Sequence, residues 1–135
     1  MTDRSIITDL DQEQLKQLID CVDNDGDKLL LLKFSATWCR PCQTVAPLCS
    51  EAFLKMPDNV VIASVDIDES LDLYMTLKKK RMLTGIPCIL SWHPLRSREK
   101  DRWYVPDDSV LSSSQPDHIN FFNRVMAKAG SIKKA

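Results

Sequence analysis

The sequence predicts an α/β domain with a central mixed sheet flanked by helices on both faces. Short apolar runs bounded by turn residues are typical of strands that are buried on both sides. Segments with helical spacing of apolar residues alternate with these runs, as in α/β folds. With 135 residues, 44% of them hydrophobic, the chain is long enough to form one domain, residues 1–135, whose core needs no metal or disulfide.

The first elements are a helix and a buried strand. Residues 10–22 place leucine, isoleucine and valine at helical spacing, with Asp9 available as the N-cap and Gln12 three residues later. The run "KLLLLKFSA", residues 28–36, is short and apolar, and it predicts a strand covered on both faces. The run "SII", residues 5–7, indicates a short additional strand.

Helical spacing then returns over residues 39–56. Pro41 suits the first turn of this helix, where a missing N–H costs least, whereas Pro47 in its middle predicts a kink. The run "NVVIASVDI", residues 59–67, predicts a second covered strand, and a third helix follows over residues 70–82.

The last third of the chain predicts two strands and a helix. "GIPCILSW", residues 85–92, is a strand with a proline at its start, and "DRWYVPDD", residues 101–108, is a weaker strand that Pro106 restricts to an edge. The final helix is expected from Pro116 to Gly130, with Gly130 as its C-terminal stop.

Charge and hydropathy exclude several classes of partner. The formal net charge is −1, so the chain has no electrostatic footprint for nucleic acid or for an anionic membrane. No segment approaches the length of an apolar membrane span, and the N-terminus lacks the features of a signal or transit peptide. We therefore expect a cytoplasmic protein, in which a Cys-x-x-Cys is more often catalytic or metal-binding than structural.

Cys39 and Cys42, in "WCRPC", are the candidate chemistry of the chain. A strand that runs directly into a helix leaves Cys39 at the helix N-terminus, where free N–H groups, the helix dipole and Arg40 stabilise a thiolate. Cys42 falls on the same side one turn deeper. Cys39 is therefore predicted to be the nucleophile of thiol–disulfide exchange, and Cys42 the residue that resolves the mixed disulfide. This reaction needs no metal or organic cofactor.

A zinc site is the competing interpretation. It requires two more ligands, and outside the pair the chain offers as candidates His93, His118, Cys49 and Cys88, with no second Cys-x-x-Cys and no paired histidine motif. We therefore predict no metal site. Cys49 lies seven residues beyond Cys42, about 10 Å along a helix, too far for a bond between them, and we expect it in the core.

The motifs "FSATWCRPCQTVAPL", "VDID" and "GIPCIL", in this order and spacing, resemble the thioredoxin family. The resemblance covers about residues 5–92 and implies a thioredoxin-like fold. It also implies a cis peptide between Ile86 and Pro87, and a groove for an extended substrate segment formed by Trp38, Ile86 and Pro87. The implied substrates are disulfide-containing proteins, and an external reductase or a low-molecular-weight thiol would return the electrons.

Two residues depart from the family pattern. Lys33 stands where the family keeps a buried aspartate, and Ser64 stands where it often has a partner lysine. A buried lysine without a partner is costly. We hypothesise that Lys33, with Arg40 and Pro41 in the motif, tunes the pKa values and the potential of the cysteine pair. The alternative is a lysine that extends its ammonium group to the surface and has no role.

Two further features affect the interpretation of the site. Alternation along the strand should turn Cys88 away from the cysteine pair, which favours a structural thiol over a third redox participant. Residues 93–115 lack the glycines that the family has there, and we expect an atypical, larger turn that alters partner choice. The sequence thus predicts a thiol–disulfide oxidoreductase, with a binding adaptor of low turnover as the alternative.

Overall fold

A computed structural model describes residues 4–133 of the chain. Helices and strands alternate along it in the predicted order, with one additional turn of 3₁₀-helix. The elements are α1 (Gln12–Asp25), β1 (Leu29–Ser35), α2 (Arg40–Lys55), β2 (Val60–Asp66), α3 (Leu71–Lys79), β3 (Cys88–Trp92), the 3₁₀ turn (Lys100–Arg102), β4 (Asp108–Leu111) and α4 (Gln115–Ile132).

The four strands form one mixed sheet in the order β2-β1-β3-β4. β1 pairs with β2 in parallel and with β3 antiparallel, and β3 pairs antiparallel with β4. The register aligns Phe34 with Cys88 and Cys88 with Leu111. The end of β1, the start of β3 and the end of β4 therefore meet at one edge of the sheet. The strand considered at residues 5–7 is reduced to an isolated parallel bridge between Ile7 and Ala63.

Side-chain alternation along β1 divides the core into two layers. Leu30, Leu32 and Phe34 belong to a cluster that also includes buried residues of α1 and α3. Leu29 and Leu31 belong to a second cluster, with α2 and α4. Helices therefore cover both faces of the sheet, as the apolar strand predicted.

The first helix begins two residues later than predicted. Asp11, not Asp9, is the N-cap: its side chain accepts a hydrogen bond from the backbone N–H of Gln14 at 2.7 Å, and the Gln14 side chain accepts one from the Asp11 N–H at 2.9 Å. This reciprocal capping box satisfies two N–H groups that have no partner within the helix. Gly26 ends the helix in the left-handed region, with φ of 76°.

Two elements in the last third of the chain differ from the prediction: a strand lies elsewhere, and a helix is longer at both ends. The predicted strand at 101–108 is instead a 3₁₀ turn and a loop, because Trp103 packs into the core and Pro106 has no N–H for a ladder; the edge strand is Asp108–Leu111. The last helix begins at Gln115, with Pro116 in its first turn, and continues past Gly130 to Ile132, whose side chain packs against the core.

Candidate active site

The cysteine pair lies where β1 passes into α2. Cys39 is the N-cap of α2, and its Sγ accepts a hydrogen bond from the backbone N–H of Cys42 at 3.2 Å. The two cysteines form a disulfide, with their Cα atoms 5.3 Å apart. Pro41 lies in the first turn, as predicted from its missing N–H. The position of Cys39 at the helix N-terminus, inferred from the strand-to-helix pattern, is therefore confirmed.

The surroundings of the pair favour a thiolate at Cys39 once the disulfide is reduced. The first turn of α2 contains no acidic residue, and Arg40 is exposed beside the cysteines. The N–H groups of that turn and the helix dipole stabilise negative charge. Cys39 is 5% exposed and Cys42 1%, so the residue assigned to resolution is the more enclosed.

The proline loop lies at the same edge of the sheet. The peptide between Ile86 and Pro87 is cis, as the resemblance implied. Pro87 is buried and directly precedes Cys88, which pairs with Phe34 near the end of β1. Ile86 is half-buried and packs against the cluster that contains both cysteines.

Trp38, directly before the pair, is 66% exposed. Its indole Nε1 donates a hydrogen bond to Asp68 Oδ2 at 2.9 Å, and Asp68 lies in the loop after β2. Asp68 is the last residue of the "VDID" motif, whose pattern assigns it no role. The interaction joins residues 30 positions apart, so no local pattern indicates it.

Lys33 is 7% exposed and lies in the middle of the sheet, opposite Ser64 of β2 and Ile89 of β3. By alternation it belongs to the face that α2 and α4 cover. Within residues 4–133 it has no hydrogen bond or ion pair. Its charge reaches Cys49: burial raises the pKa of the Cys49 thiol, and the Lys33 ammonium opposes that rise.

A buried thiol and imidazole lie on this second face. Cys49 and His118 are both fully buried, and Cys49 Sγ is 3.9 Å from His118 Nδ1. The core position expected for Cys49 is confirmed. Its contact with His118, which comes from α4, was not foreseen because the two residues are 69 positions apart.

Cys88 is a free, buried thiol, and burial raises its pKa to about 12. The expectation that it faces away was wrong, because Cys88 belongs to the same cluster as Cys39 and Cys42. The high pKa nevertheless fits a structural thiol. Across residues 4–133, no cluster of histidine, cysteine and acidic residues is able to hold a metal ion. Nor does that part of the chain contain a helix both long and apolar enough to cross a membrane.

The fold and the site together define a class: an α/β domain with a Cys-x-x-Cys pair at a strand-to-helix junction beside a cis-proline. Comparison with known proteins identifies the family. The Thioredoxin family model matches residues 8–94, and the chain belongs to the thioredoxin family.

Individual relatives agree with this assignment. A thioredoxin of Ictalurus punctatus is 31% identical over 109 residues, which cover 78% of this chain and 94% of that protein. Thioredoxin H5 of Oryza sativa is 54% identical over 46 residues, 34% of this chain and 33% of its own length. Among solved structures, a poplar thioredoxin h superposes with a TM-score of 0.65 at 19% identity, covering 90% of this chain and 96% of that one. The chain therefore has the thioredoxin-like fold.

Proposed function

We propose that the protein is a thiol–disulfide oxidoreductase that acts on protein disulfides through Cys39 and Cys42. The observation that carries this proposal is the bonded pair at the N-terminus of α2, with Cys39 as the N-cap. Family membership supports a disulfide oxidoreductase in general terms. The particular roles of the two cysteines are our assignment.

The proposed reaction has two exchange steps. The Cys39 thiolate attacks one sulfur of the substrate disulfide, a mixed disulfide forms, and the second substrate sulfur leaves as a thiolate that takes up a proton. The Cys42 thiol then loses its proton and attacks Cys39 Sγ, which releases the second substrate thiol and forms the Cys39–Cys42 disulfide. Two electrons have passed to the substrate. An external reductase or a low-molecular-weight thiol supplies two electrons to restore the dithiol.

The substrate groove is proposed to consist of Trp38, Ile86 and Pro87. Trp38 offers an exposed aromatic surface beside Cys39, and its hydrogen bond to Asp68 restrains the ring. The backbone before Pro87 lies at the sheet edge near the pair, where an extended segment of a protein substrate can pair with it. Partners of this kind are disulfide-containing proteins, not nucleic acids or membranes, and we propose a cytoplasmic location.

Insulin reduction with dithiothreitol tests the proposed function. The wild type should accelerate insulin precipitation, and Cys39→Ser should remove the acceleration because it removes the nucleophile. Cys21→Ser is the matched control, since Cys21 is exposed on α1 and does not belong to the pair. Equal rates of insulin precipitation with wild type and Cys39→Ser would refute the proposed oxidoreductase activity. They would favour an adaptor that binds partners through the groove.

We also propose that Lys33, Arg40 and Pro41 tune the redox couple. Lys33 supports this because its side chain is 7% exposed in the middle of the sheet and its ammonium has no ion-pair partner within residues 4–133. A nearby positive charge stabilises the thiolate and hence the reduced form, which raises the reduction potential. Arg40 adds exposed positive charge within the motif, and Pro41 fixes the first turn of α2.

The reduction potential of Lys33→Asp, measured in glutathione buffers, tests this tuning. We expect it to fall by at least about 30 mV, which corresponds to about 1.4 kcal/mol for a two-electron couple. Lys79→Asp is the control, because it makes the same charge change at an exposed position on α3. A Lys33→Asp potential equal to or above that of the wild type would leave Lys33 without a role in the couple.

A further inference from the structure

The loop Ser112–Ser114, which joins β4 to α4, lies at the edge of the sheet that holds the cysteine pair. Leu111, the last residue of β4, pairs with Cys88, and Cys88 pairs with Phe34 near the end of β1. Leu111 is 45% exposed, and Ser113 is exposed as well. A protein segment that reaches Pro87, immediately before Cys88, therefore passes close to this loop.

A fully buried histidine holds the loop. His118 Nε2 lies 2.8 Å from the carbonyl oxygen of Ser112. A carbonyl oxygen only accepts hydrogen bonds, so Nε2 donates in this contact, and the tautomer with its proton on Nε2 leaves Nδ1 as an acceptor. The Cys49 thiol, 3.9 Å from Nδ1, is placed to donate to it. The two contacts fix the tautomer and the orientation of the imidazole.

Cys49 is suited to this supporting role because it stays protonated. Burial raises the pKa of its thiol, although the Lys33 charge opposes the rise. A protonated thiol donates its hydrogen to Nδ1, whereas a thiolate would compete for a ring proton. The pair thus links the interior of α2 to the loop at the sheet edge.

Further hydrogen bonds complete the loop. Ser112 Oγ donates to Asp117 Oδ2 at 2.7 Å and accepts from the Ser114 N–H at 2.9 Å. Ser114 is the N-cap of α4, and its Oγ accepts from the Asp117 N–H at 3.4 Å. The hydrogen bond between His118 and the Ser112 carbonyl ties this network to the buried layer beneath it.

From this arrangement we infer that His118 is a positioning residue for the reaction. It holds Ser112–Ser114 as a fixed rim of the groove that receives protein substrates, with Cys49 setting its tautomer. The inference rests on the proposed function of the cysteine pair. Since the rim touches a macromolecular substrate but not a small one, His118 should affect KM for proteins and leave the chemistry at Cys39 unchanged.

Steady-state kinetics with two substrates, insulin and the small aromatic disulfide dithiobis-nitrobenzoate, test the inference. His118→Leu should raise KM for insulin by about two- to tenfold, the range that one neutral hydrogen bond is worth. Its kcat, its KM for the small disulfide and its reduction potential should stay at wild-type values. His118→Gln, whose amide can still donate to Ser112, should restore most of the insulin KM.

A second pair of variants keeps the test independent of core stability. Ser113→Trp adds bulk on the exposed rim, and Ser97→Trp makes the same change in the segment after Trp92, at the opposite end of β3. Only Ser113→Trp should change the insulin KM, by at least about threefold, which is within the range for one altered contact.

The outcomes separate this inference from the proposed function. An insulin KM indifferent to both His118→Leu and Ser113→Trp, in a wild type that reduces insulin through Cys39, would overturn the positioning role alone. Equal KM increases for insulin and for the small disulfide would overturn it too. A wild type without Cys39-dependent insulin reduction would instead refute the proposed function.

Discussion

Arg98 should be among the most sensitive positions for stability in the segment between β3 and β4. Its side chain is 8% exposed and donates from Nε to Asp23 Oδ2 at 2.7 Å and from Nη2 to Asp107 Oδ2 at 3.1 Å. Nη2 also donates to the carbonyl oxygen of His93 at 2.7 Å, and Nη1 to that of Val105 at 3.3 Å. The Arg98 guanidinium thus ties the segment between β3 and β4 to the end of α1 and to the start of β4.

The structure sets the size of the effect. Removing one partner of a buried ion pair costs about 3–5 kcal/mol, because the other charge is left uncompensated. Asp23 is 14% exposed and Asp107 27%, so water reaches Asp107 and the lower end, about 3 kcal/mol, applies. For a chain of 135 residues the unfolding entropy is about 0.28 kcal/mol per degree, and Arg98→Ala should lower Tm by about 10 °C.

Thermal unfolding followed by circular dichroism measures this change. Arg96→Ala is the matched control, since Arg96 is exposed and makes no hydrogen bond or ion pair in the described part of the chain, residues 4–133. Its Tm should stay within about 2 °C of the wild type, as for an ordinary surface substitution. If Arg98→Ala unfolded within about 2 °C of Arg96→Ala, the guanidinium would not hold the turn.

Two other predictions concern titratable groups. Because burial raises the pKa of Cys88 to about 12, iodoacetamide at pH 8 should alkylate the exposed Cys21 and spare Cys88 in the native protein, as peptide mass mapping would show; equal labelling rates would contradict this. Burial alone would raise the pKa of Asp108, but hydrogen bonds from Arg124 and from the Ser109 N–H lower it. The Asp108 carboxyl therefore binds its proton more weakly in the folded protein than in the unfolded one. Its contribution to stability is complete above about pH 4 and is lost as the pH falls through the pKa of the folded state. In urea unfolding, Asp108→Asn should lower the free energy of unfolding by up to about 1 kcal/mol at pH 7 and leave it unchanged at low pH. If the free-energy difference between variant and wild type stayed the same across this pH range, the ion pair would not be its cause.

The sequence predicts the redox site well because its signals are local. The apolar run of β1, the two cysteines and Pro41 are contiguous, so one strand-to-helix junction fixes their geometry. β4 lacks such a signal: it has four residues, of which Val110 alone is buried, and this leaves no alternation to detect. The nearby Trp103 resembles a strand residue but packs into the core from a loop.

The contacts that sequence patterns missed join distant residues. His118 shows no special pattern within α4, and its role depends on a carbonyl six positions away and on a thiol 69 positions away. Asp68 likewise meets Trp38 only because β1 and β2 lie side by side. Lys33 stands out in the sequence because it interrupts an apolar run at the position where the family keeps a buried aspartate, and in the structure it is 7% exposed.

Trapping the mixed disulfide tests the central claim most directly. Cys42→Ser removes the resolving thiol, so after mixing with an oxidised protein substrate the variant should accumulate a covalent adduct. Peptide mass spectrometry should place the substrate sulfur on Cys39, and Cys39→Ser combined with Cys42→Ser should form no adduct. An adduct through Cys21, Cys49 or Cys88 instead, or none at all from an intact Cys42→Ser protein, would contradict Cys39 as the nucleophile.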